Sequence, residues 1–168
     1  GLVSGASFAA LKEDGSVVFW GSIGDYGSVA SQLSSGVSEI FTNEYGIAAL
    51  KTDGSVVSSN IPTSIATELS SGVSTIYSNP FVFAALKEDG SVVTWGWAGA
   101  GGDSSSVASE LSSSVSTIYS TRYSLAALKT DGSVVYWGGG GFPIEQLSSG
   151  VRNIFTNPWG AYAALKED

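Results

Sequence analysis

The stretch "FAALKEDGSVVFWG", from Phe8 to Gly21, decides the fold. It returns as "FAALKEDGSVVTWG" at Phe83–Gly96 and as "LAALKTDGSVVYWG" at Leu125–Gly138. A weakened copy, "IAALKTDGSVVSSN", occupies Ile47–Asn60, and a further one opens with "YAALKED" at Tyr162–Asp168. Each full copy sets an Asp-Gly pair between two apolar runs: Asp14-Gly15, Asp53-Gly54, Asp89-Gly90 and Asp131-Gly132. Asp-Gly in that setting is a hairpin signal, because Gly accepts positive φ and Asp tolerates it. The pairs therefore predict tight turns, with "AALK" and "SVV" as antiparallel partners. The "SVVxW" run alternates, which places Val17 and Phe19 on one face and Val18 and Trp20 on the other. Short β-rich runs ("EIFT", "TIYS", "TIYS", "NIFT") begin at Glu39, Thr75, Thr117 and Asn153, ahead of the later "AAL" segments. Each unit thus reads as at least three antiparallel strands.

The Ala that opens "AAL" falls at Ala9, Ala48, Ala84, Ala126 and Ala163, at spacings of 39, 36, 42 and 37 residues. Periods in this range mean a repeat architecture, in which a unit too small to bury its own faces stacks on its neighbours. The expected fold is all-β: four antiparallel β-sheet repeats of about 36–42 residues within one array over residues 1–168, with a partial fifth from Ala163. Such an array is propeller-like or superhelical and filament-forming.

Between units runs a Ser-rich connector: "SVASQLSSGV", "SIATELSSGV", "SVASELSSSV" and the shorter "PIEQLSSGV". Its Leu33, Leu69, Leu111 and Leu147 are expected to plug the core. Either a one-turn helix or an extended strap would carry them, with Ser28 and Pro143 suited to the start of a helix. From the position after the Trp to the strap Leu the separations are 12, 9, 15 and 9 residues; from that Leu to the next "AAL" they are 15, 15, 15 and 16. Length variation sits in one loop, which marks either a binding face or a segment nothing constrains.

At "ALKEDGSVVTWG" the chain resembles the repeats of the regulator-of-chromosome-condensation family of β-propellers. The "GGDSSSVASELSS" and "GVSTIYS" connectors resemble repeat-rich giant surface proteins of bacteria. The family resemblance implies four-stranded blades with the Ala-Leu and Val-x-x-Trp-Gly strands inside each blade. The chain departs from the family pattern in having no His before Ala-Leu, and its "GDYGSVASQL" matches only loosely the Asn-x-x-Gly-Gln-Leu-Gly that follows Trp-Gly. No residue-level match carries over nucleotide exchange on a GTPase, or the β-lactamase inhibition of a related bacterial propeller.

Composition narrows the function classes. Seven basic residues against fifteen acidic ones give a net charge of −8, which speaks against nucleic acid as partner. With no His and no Cys, neither a Ser/His/Asp nor a Cys/His nucleophile is available. The carboxylate pairs Glu13-Asp14, Glu88-Asp89 and Glu167-Asp168 fall at hairpin tips and read as solvated turns. "GDYG" at Gly24–Gly27 and "GGDSSS" at Gly101–Ser106 lack the carboxylate density of a calcium site. "WGWAGAGGDS" has no phosphate-loop pattern. No enzyme, cofactor or metal is expected. No apolar run is long enough to cross a bilayer, and residues 1–30 show no signal-peptide pattern. The acidic, Ser/Gly-rich, Cys-free composition predicts an extracellular or cell-surface bacterial location.

One aromatic per repeat recurs before "AAL": Tyr45, Phe81, Tyr123 and Trp159. Packing between repeats accounts for a regular set, while exposed rings stack sugars or anchor proteins. Tyr26, Trp97, Asp103, Phe142 and Trp159 are the candidate partner-binding residues. The two ends of the chain share one phase of the repeat. That phase predicts repeats continuing past the ends, or copies stacking head to tail. The expected function is a structural or adhesive segment whose partners are itself or other surface proteins and glycans. The alternative is a closed propeller binding protein or glycan through its variable loops.

Overall fold

The computed structural model describes residues 7–21, 29–44, 46–140, 147–157 and 159–167. These form five small antiparallel sheets, named I to V here in chain order. Sheet I pairs β1 (Ser7–Leu11) with β2 (Val17–Gly21). Sheet II orders β3 (Val37–Asn43), β4 (Gly46–Lys51) and β5 (Val56–Ser58). Sheet III orders β6 (Val73–Ser78), β7 (Val82–Lys87) and β8 (Val92–Gly96). Sheet IV orders β9 (Val115–Ser120), β10 (Ser124–Lys129) and β11 (Val134–Gly138). Sheet V pairs β12 (Val151–Thr156) with β13 (Tyr162–Lys166). Among the described residues there is no α-helix and no closed sheet. The described residues form an all-β repeat array of antiparallel sheets.

All four Asp-Gly pairs lie in the turn that joins the "AALK" strand to the "SVV" strand. At the second, the Gly54 N–H donates to the Lys51 carbonyl (2.9 Å) and the Lys51 N–H to the Ser55 carbonyl (2.9 Å). Gly54 has φ 77°. This is a tight turn closed by a left-handed Gly bulge. Gly supplies the positive φ as expected, but Asp does not share it. Instead Asp53 Oδ1 accepts the N–H and the hydroxyl of Ser55, at 3.0 and 2.6 Å. The same pair of bonds recurs at Asp14, Asp89 and Asp131.

The first two strands of sheets II to V carry a register shift where the first begins and the second ends. In three of them a serine answers it. Ser38, Ser74 and Ser116 Oγ donate to the carbonyls of Leu50, Leu86 and Leu128 at 2.9–3.0 Å, so the bulge does not orphan a backbone acceptor.

Both faces of the middle strand are buried, each against a different sheet. Phe83, Ala85, Val93 and Trp95 of sheet III pack back on Ala48, Leu50 and Val56 of sheet II. Ala84 and Leu86 pack forward on Leu125, Ala127, Val135 and Trp137 of sheet IV. Ala126, Leu128 and Val134 in turn face Val151 and Ile154 of sheet V. The small Ala at the centre lets two sheets approach, and the flanking Leu and Trp fill the remaining width. Alternation along one strand thus makes each sheet a link between two cores.

The connectors seal these joints. Leu33, Leu69, Leu111 and Leu147 are all buried, as expected of core plugs. Their segments are 3₁₀ helix and turn, with 3₁₀ helices at Ala30–Leu33 and Ser105–Val107. Serine hydroxyls back-bond three residues earlier: Ser34 to the Ser31 carbonyl, Ser70 to Thr67 and Ser112 to Ser109, each at 2.7 Å. That local bonding competes with ladder formation. The complete sheets accordingly have three strands, not the four that the family resemblance implies. The carbonyls of Leu69 and Leu111 still accept the N–H of Val56 and Val92, both at 2.9 Å.

The repeat lysines are spread along the array, and three of them are each tied to a strap. Lys51, Lys87 and Lys129 Nζ donate to the carbonyls of Gln32, Glu68 and Glu110 at 3.2, 2.9 and 2.8 Å. Backbone bonds lock adjacent units as well. The N–H groups of Val37, Val73, Val115 and Val151 donate to the carbonyls of Gly15, Gly54, Gly90 and Gly132 at 2.9–3.0 Å. Each hairpin turn is therefore bonded to the start of the next sheet.

Repeat two departs from its siblings. Its β5 has 3 residues where β8 and β11 have 5, and Ser59 is only partly buried. Trp95 of the next sheet reaches into this region and donates its Nε1–H to Ser58 Oγ at 3.4 Å.

A candidate contact surface: an aromatic platform between two repeats

The turns that precede the "AALK" strands line one edge of the array. Asn79 fixes the turn of the third sheet. Its Oδ1 accepts the Phe81 N–H at 2.9 Å, and its Nδ2 donates to the Ala100 carbonyl at 3.2 Å. Asn43, one repeat earlier, donates Nδ2 to the Asn79 and Val82 carbonyls at 3.1 and 3.2 Å. Asn157 does the same local work in sheet V, accepting the N–H groups of Trp159 and Ala161. Three of these turns are thus built on an Asn, with Thr121 in its place in sheet IV.

On this edge the variable loop after β8 folds back. The Trp97 N–H donates to the Phe81 carbonyl, and the Gly102 N–H to the Trp97 carbonyl, both at 3.0 Å. Trp137 Nε1–H donates to the Gly101 carbonyl at 3.0 Å, and Ala100 is fully buried between the sheets. A Cβ at Gly96 would stand 2.3 Å from the Phe81 carbonyl oxygen, and one at Gly101 2.5 Å from Leu125 Cδ1. The "WGWAGAGG" glycines therefore serve close packing, and the longest connector is anchored along its length.

That anchoring brings three rings together. Phe81 and Tyr123, at like turn positions one repeat apart, stack at 5.5 Å with planes 9° apart. Trp97 meets both edge-on, at 5.4 Å from Phe81 and 6.3 Å from Tyr123. The Arg122 guanidinium lies 5.6 and 5.4 Å from the Phe81 and Tyr123 centroids and donates Nε–H to the Tyr123 hydroxyl at 2.9 Å. Aromatic pairs of this kind contribute about 0.5–1.5 kcal/mol each, so the rings hold one another in place. Trp97 and Tyr123 remain 44% exposed.

Of the residues singled out in the sequence, Trp97 belongs to this platform. Asp103 lies exposed in the same loop. Its Oδ1 accepts the Ser105 N–H at 2.9 Å, and that bond, then the Ser105 hydroxyl, lowers its pKa below the ordinary value. Trp159, on the equivalent turn of sheet V, is 87% exposed and stacks on no other ring among the described residues. Tyr26 and Phe142 lie outside the described residues, as does Tyr45. Phe81 and Tyr123 were legible as a periodic row, but their stacking depends on how far one repeat rotates on the next. Arg122 had no signal beyond being one of two arginines.

No known family profile matches the chain, and no curated protein matches it either. Among solved structures it is similar to the crinkly WD40 ectodomain of the Arabidopsis thaliana receptor kinase ACR4. That match has 13% identity and a TM-score of 0.49, over 80% of this chain and 52% of that one. It is also similar to the ectodomain of the Physcomitrella patens receptor kinase CR4, with 12% identity and a TM-score of 0.46, over 77% and 39% of the two chains. A third is the computationally designed Ika8 protein, with 13% identity and a TM-score of 0.43, over 91% and 50%. The chain spans about half the length of these structures or less. No helix among the described residues is long and apolar enough to cross a membrane.

Proposed function

We propose that the chain is a non-enzymatic structural and adhesive repeat segment of a secreted or cell-surface bacterial protein, self-associating or part of an extended extracellular filament. The sheet stack supplies the scaffold, and the turn edge makes contact with surface proteins or glycans. The observation that carries this reading is the platform of Phe81, Trp97, Tyr123 and Arg122: preorganised, half-exposed aromatic area joined to a hydrogen-bond donor. Rigid aromatics of this kind bind at low entropic cost. The resemblance of the connectors to those of repeat-rich giant bacterial surface proteins supports the same assignment.

The test is binding of the purified chain to bacterial cells, to immobilised surface proteins and to a glycan array, beside Trp97→Ala and Tyr123→Ala. The reading expects binding that weakens about tenfold or more in each variant, the size of a hot-spot loss. Binding unchanged by both substitutions, or no binding to any of these surfaces, contradicts it. A closed propeller acting through its variable loops is favoured by one feature: the longest such loop builds the platform. Small-angle scattering separates the two, since a ring gives a compact envelope and an open array an elongated one.

A further inference from the structure

The aromatic platform lies between sheets III and IV, inside the array, and it holds a cation with no acidic partner. Among the described residues the other cations are engaged within the chain. Lys12 pairs with Asp14 at 3.1 Å and Arg152 with Glu167 at 3.7 Å. Lys51, Lys87 and Lys129 donate to strap carbonyls, and Lys166 also has a partner. Arg122 differs. It is exposed, its Nε–H goes to the Tyr123 hydroxyl at 2.9 Å, and its guanidinium lies against Phe81 and Tyr123. Among the described residues no carboxylate or carbonyl accepts from its two terminal Nη groups. The acidic residue of the neighbouring loop, Asp103, gives its Oδ1 to the Ser105 N–H instead. The Tyr123 oxygen accepts from Arg122, so its own O–H is left to donate.

We infer that this platform is a site for a carboxylate-bearing sugar, a uronic or sialic acid residue of a glycan. This rests on the contact-surface reading above and narrows its partner. The C–H face of a sugar ring carries partial positive charge and suits the negative face of an aromatic ring. Trp97 and Tyr123 supply that area, each 44% exposed. The Tyr123 O–H meets a sugar hydroxyl, and the two Nη groups of Arg122 take the carboxylate as a fork. Such Arg–carboxylate pairs are strong and set by geometry. A protein partner would instead anchor a side chain in a pocket. Here Phe81 rests on a filled core, the cluster that includes Ala100, Leu125 and Trp137. A Cβ at Gly99 would stand 2.9 Å from Trp97 Cζ2, so Gly99 packs against the indole and fixes its tilt. The net charge of −8 disfavours anions in general, which leaves recognition of the carboxylate to Arg122.

The experiment is a set of titrations followed by nuclear magnetic resonance. The probes are trigalacturonic acid beside its methyl ester, sialyllactose beside lactose, and an oligoglutamate peptide. At least one acidic sugar is expected to bind about tenfold or more tighter than its neutral counterpart, the worth of a hydrogen-bonded charge. Which acid does so distinguishes uronic from sialic acid. Arg122→Gln should abolish that preference, and Trp97→Ala should weaken acidic and neutral sugars alike by about tenfold. Arg122 is exposed, so its variant is expected to fold, and circular dichroism checks this. Tyr123→Phe, which removes only the hydroxyl that holds Arg122, repeats the test if Arg122→Gln misfolds, and should reduce the preference severalfold. Neutral sugars bound as tightly as acidic ones, a preference that survives Arg122→Gln, an oligoglutamate peptide bound as tightly as either acid, or no binding of any probe overturns the inference. Adhesion to cells that depends on Trp97 but not on Arg122, without an acid preference, sinks the acidic-sugar site and leaves the contact-surface reading standing. An acid preference carried by Arg122, in a chain that adheres to no cell or surface protein, does the reverse.

Discussion

Trp20 and Trp95 occupy the same position of the same motif, and each stacks on a Phe across its hairpin. One is 51% exposed and the other 1%. What differs is the sheet behind them. Trp95 has sheet II against its outer face, with Ala48 and Leu50 in the shared cluster. No sheet covers Trp20 among the described residues. The local motif therefore sets the ring pair, and the neighbouring repeat supplies the burial. In a stacked array most of the stability resides in such interfaces rather than in the single unit.

This contrast makes its largest prediction at the tryptophans themselves. Trp95→Ala should cost about 3–5 kcal/mol, the range for removing a buried aromatic from a packed core. Trp20→Ala in dilute monomer should cost under about 1 kcal/mol, as for a surface change. Urea unfolding of the two variants checks this, and equal losses would break the comparison. Next come the joints. A Cβ at Gly90 would meet the Ser114 nitrogen at 2.7 Å, with Gly90 at φ 77°, whereas Gly160, at φ 105°, has nothing within 4 Å. Gly90→Ala should therefore cost more than Gly160→Ala, by about 1–3 kcal/mol in the unfolding free energy from urea titration. If the two cost the same, backbone contact between units contributes little.

Much of this was legible in the sequence, for stated reasons. Asp-Gly with flanking alternation predicts the hairpins because the turn chemistry is local. The fixed distance from strap Leu to "AAL" predicts a plug that must always reach the same core. The residues that sequence left open are those whose partners come from the next repeat. Stacking of Phe81 on Tyr123 needs the inter-repeat rotation, and bonding of Lys87 to the Glu68 carbonyl needs the path of the strap. The fourth strand implied by family resemblance gave way to serine back-bonding, which a pattern of apolar residues does not register.

A smaller effect sharpens the same comparison. Gly36, Gly72 and Gly150 start their sheets at φ 70–72°, and the fourth joint has Ser114 there at φ 66°. Among the described residues it is the lone non-Gly at positive φ. Ser114→Gly should stabilise by about 0.5–1 kcal/mol, relieving a left-handed side chain, as a rise in melting temperature reports. No gain would mean the joint does not feel that strain.

The smallest effect is in the turns. The Ser16 hydroxyl, then its N–H, then Lys12 lower Asp14 from 3.8 to about 2. Asp53, Asp89 and Asp131 are lowered by the equivalent serines. A carboxylate depressed by folding adds stability above its unfolded pKa and loses it as pH falls through the folded value. Stability should therefore decline between about pH 4 and pH 2, and Asp131→Asn should make that decline shallower. Urea midpoints over this window measure it, and a flat profile in the wild type contradicts the turn bonding.

The central claim is that burial by a neighbour on each side, rather than the repeat sequence, sets the stability of a unit. Native-state hydrogen exchange on the dilute monomer tests it most directly, since the "AALK" strands are near copies of one another. The strongest protection is expected in β7 and β10, each flanked by sheets on both faces, and much weaker protection in β1 and β13. Equal protection across these strands, or greatest protection in β1, would contradict it.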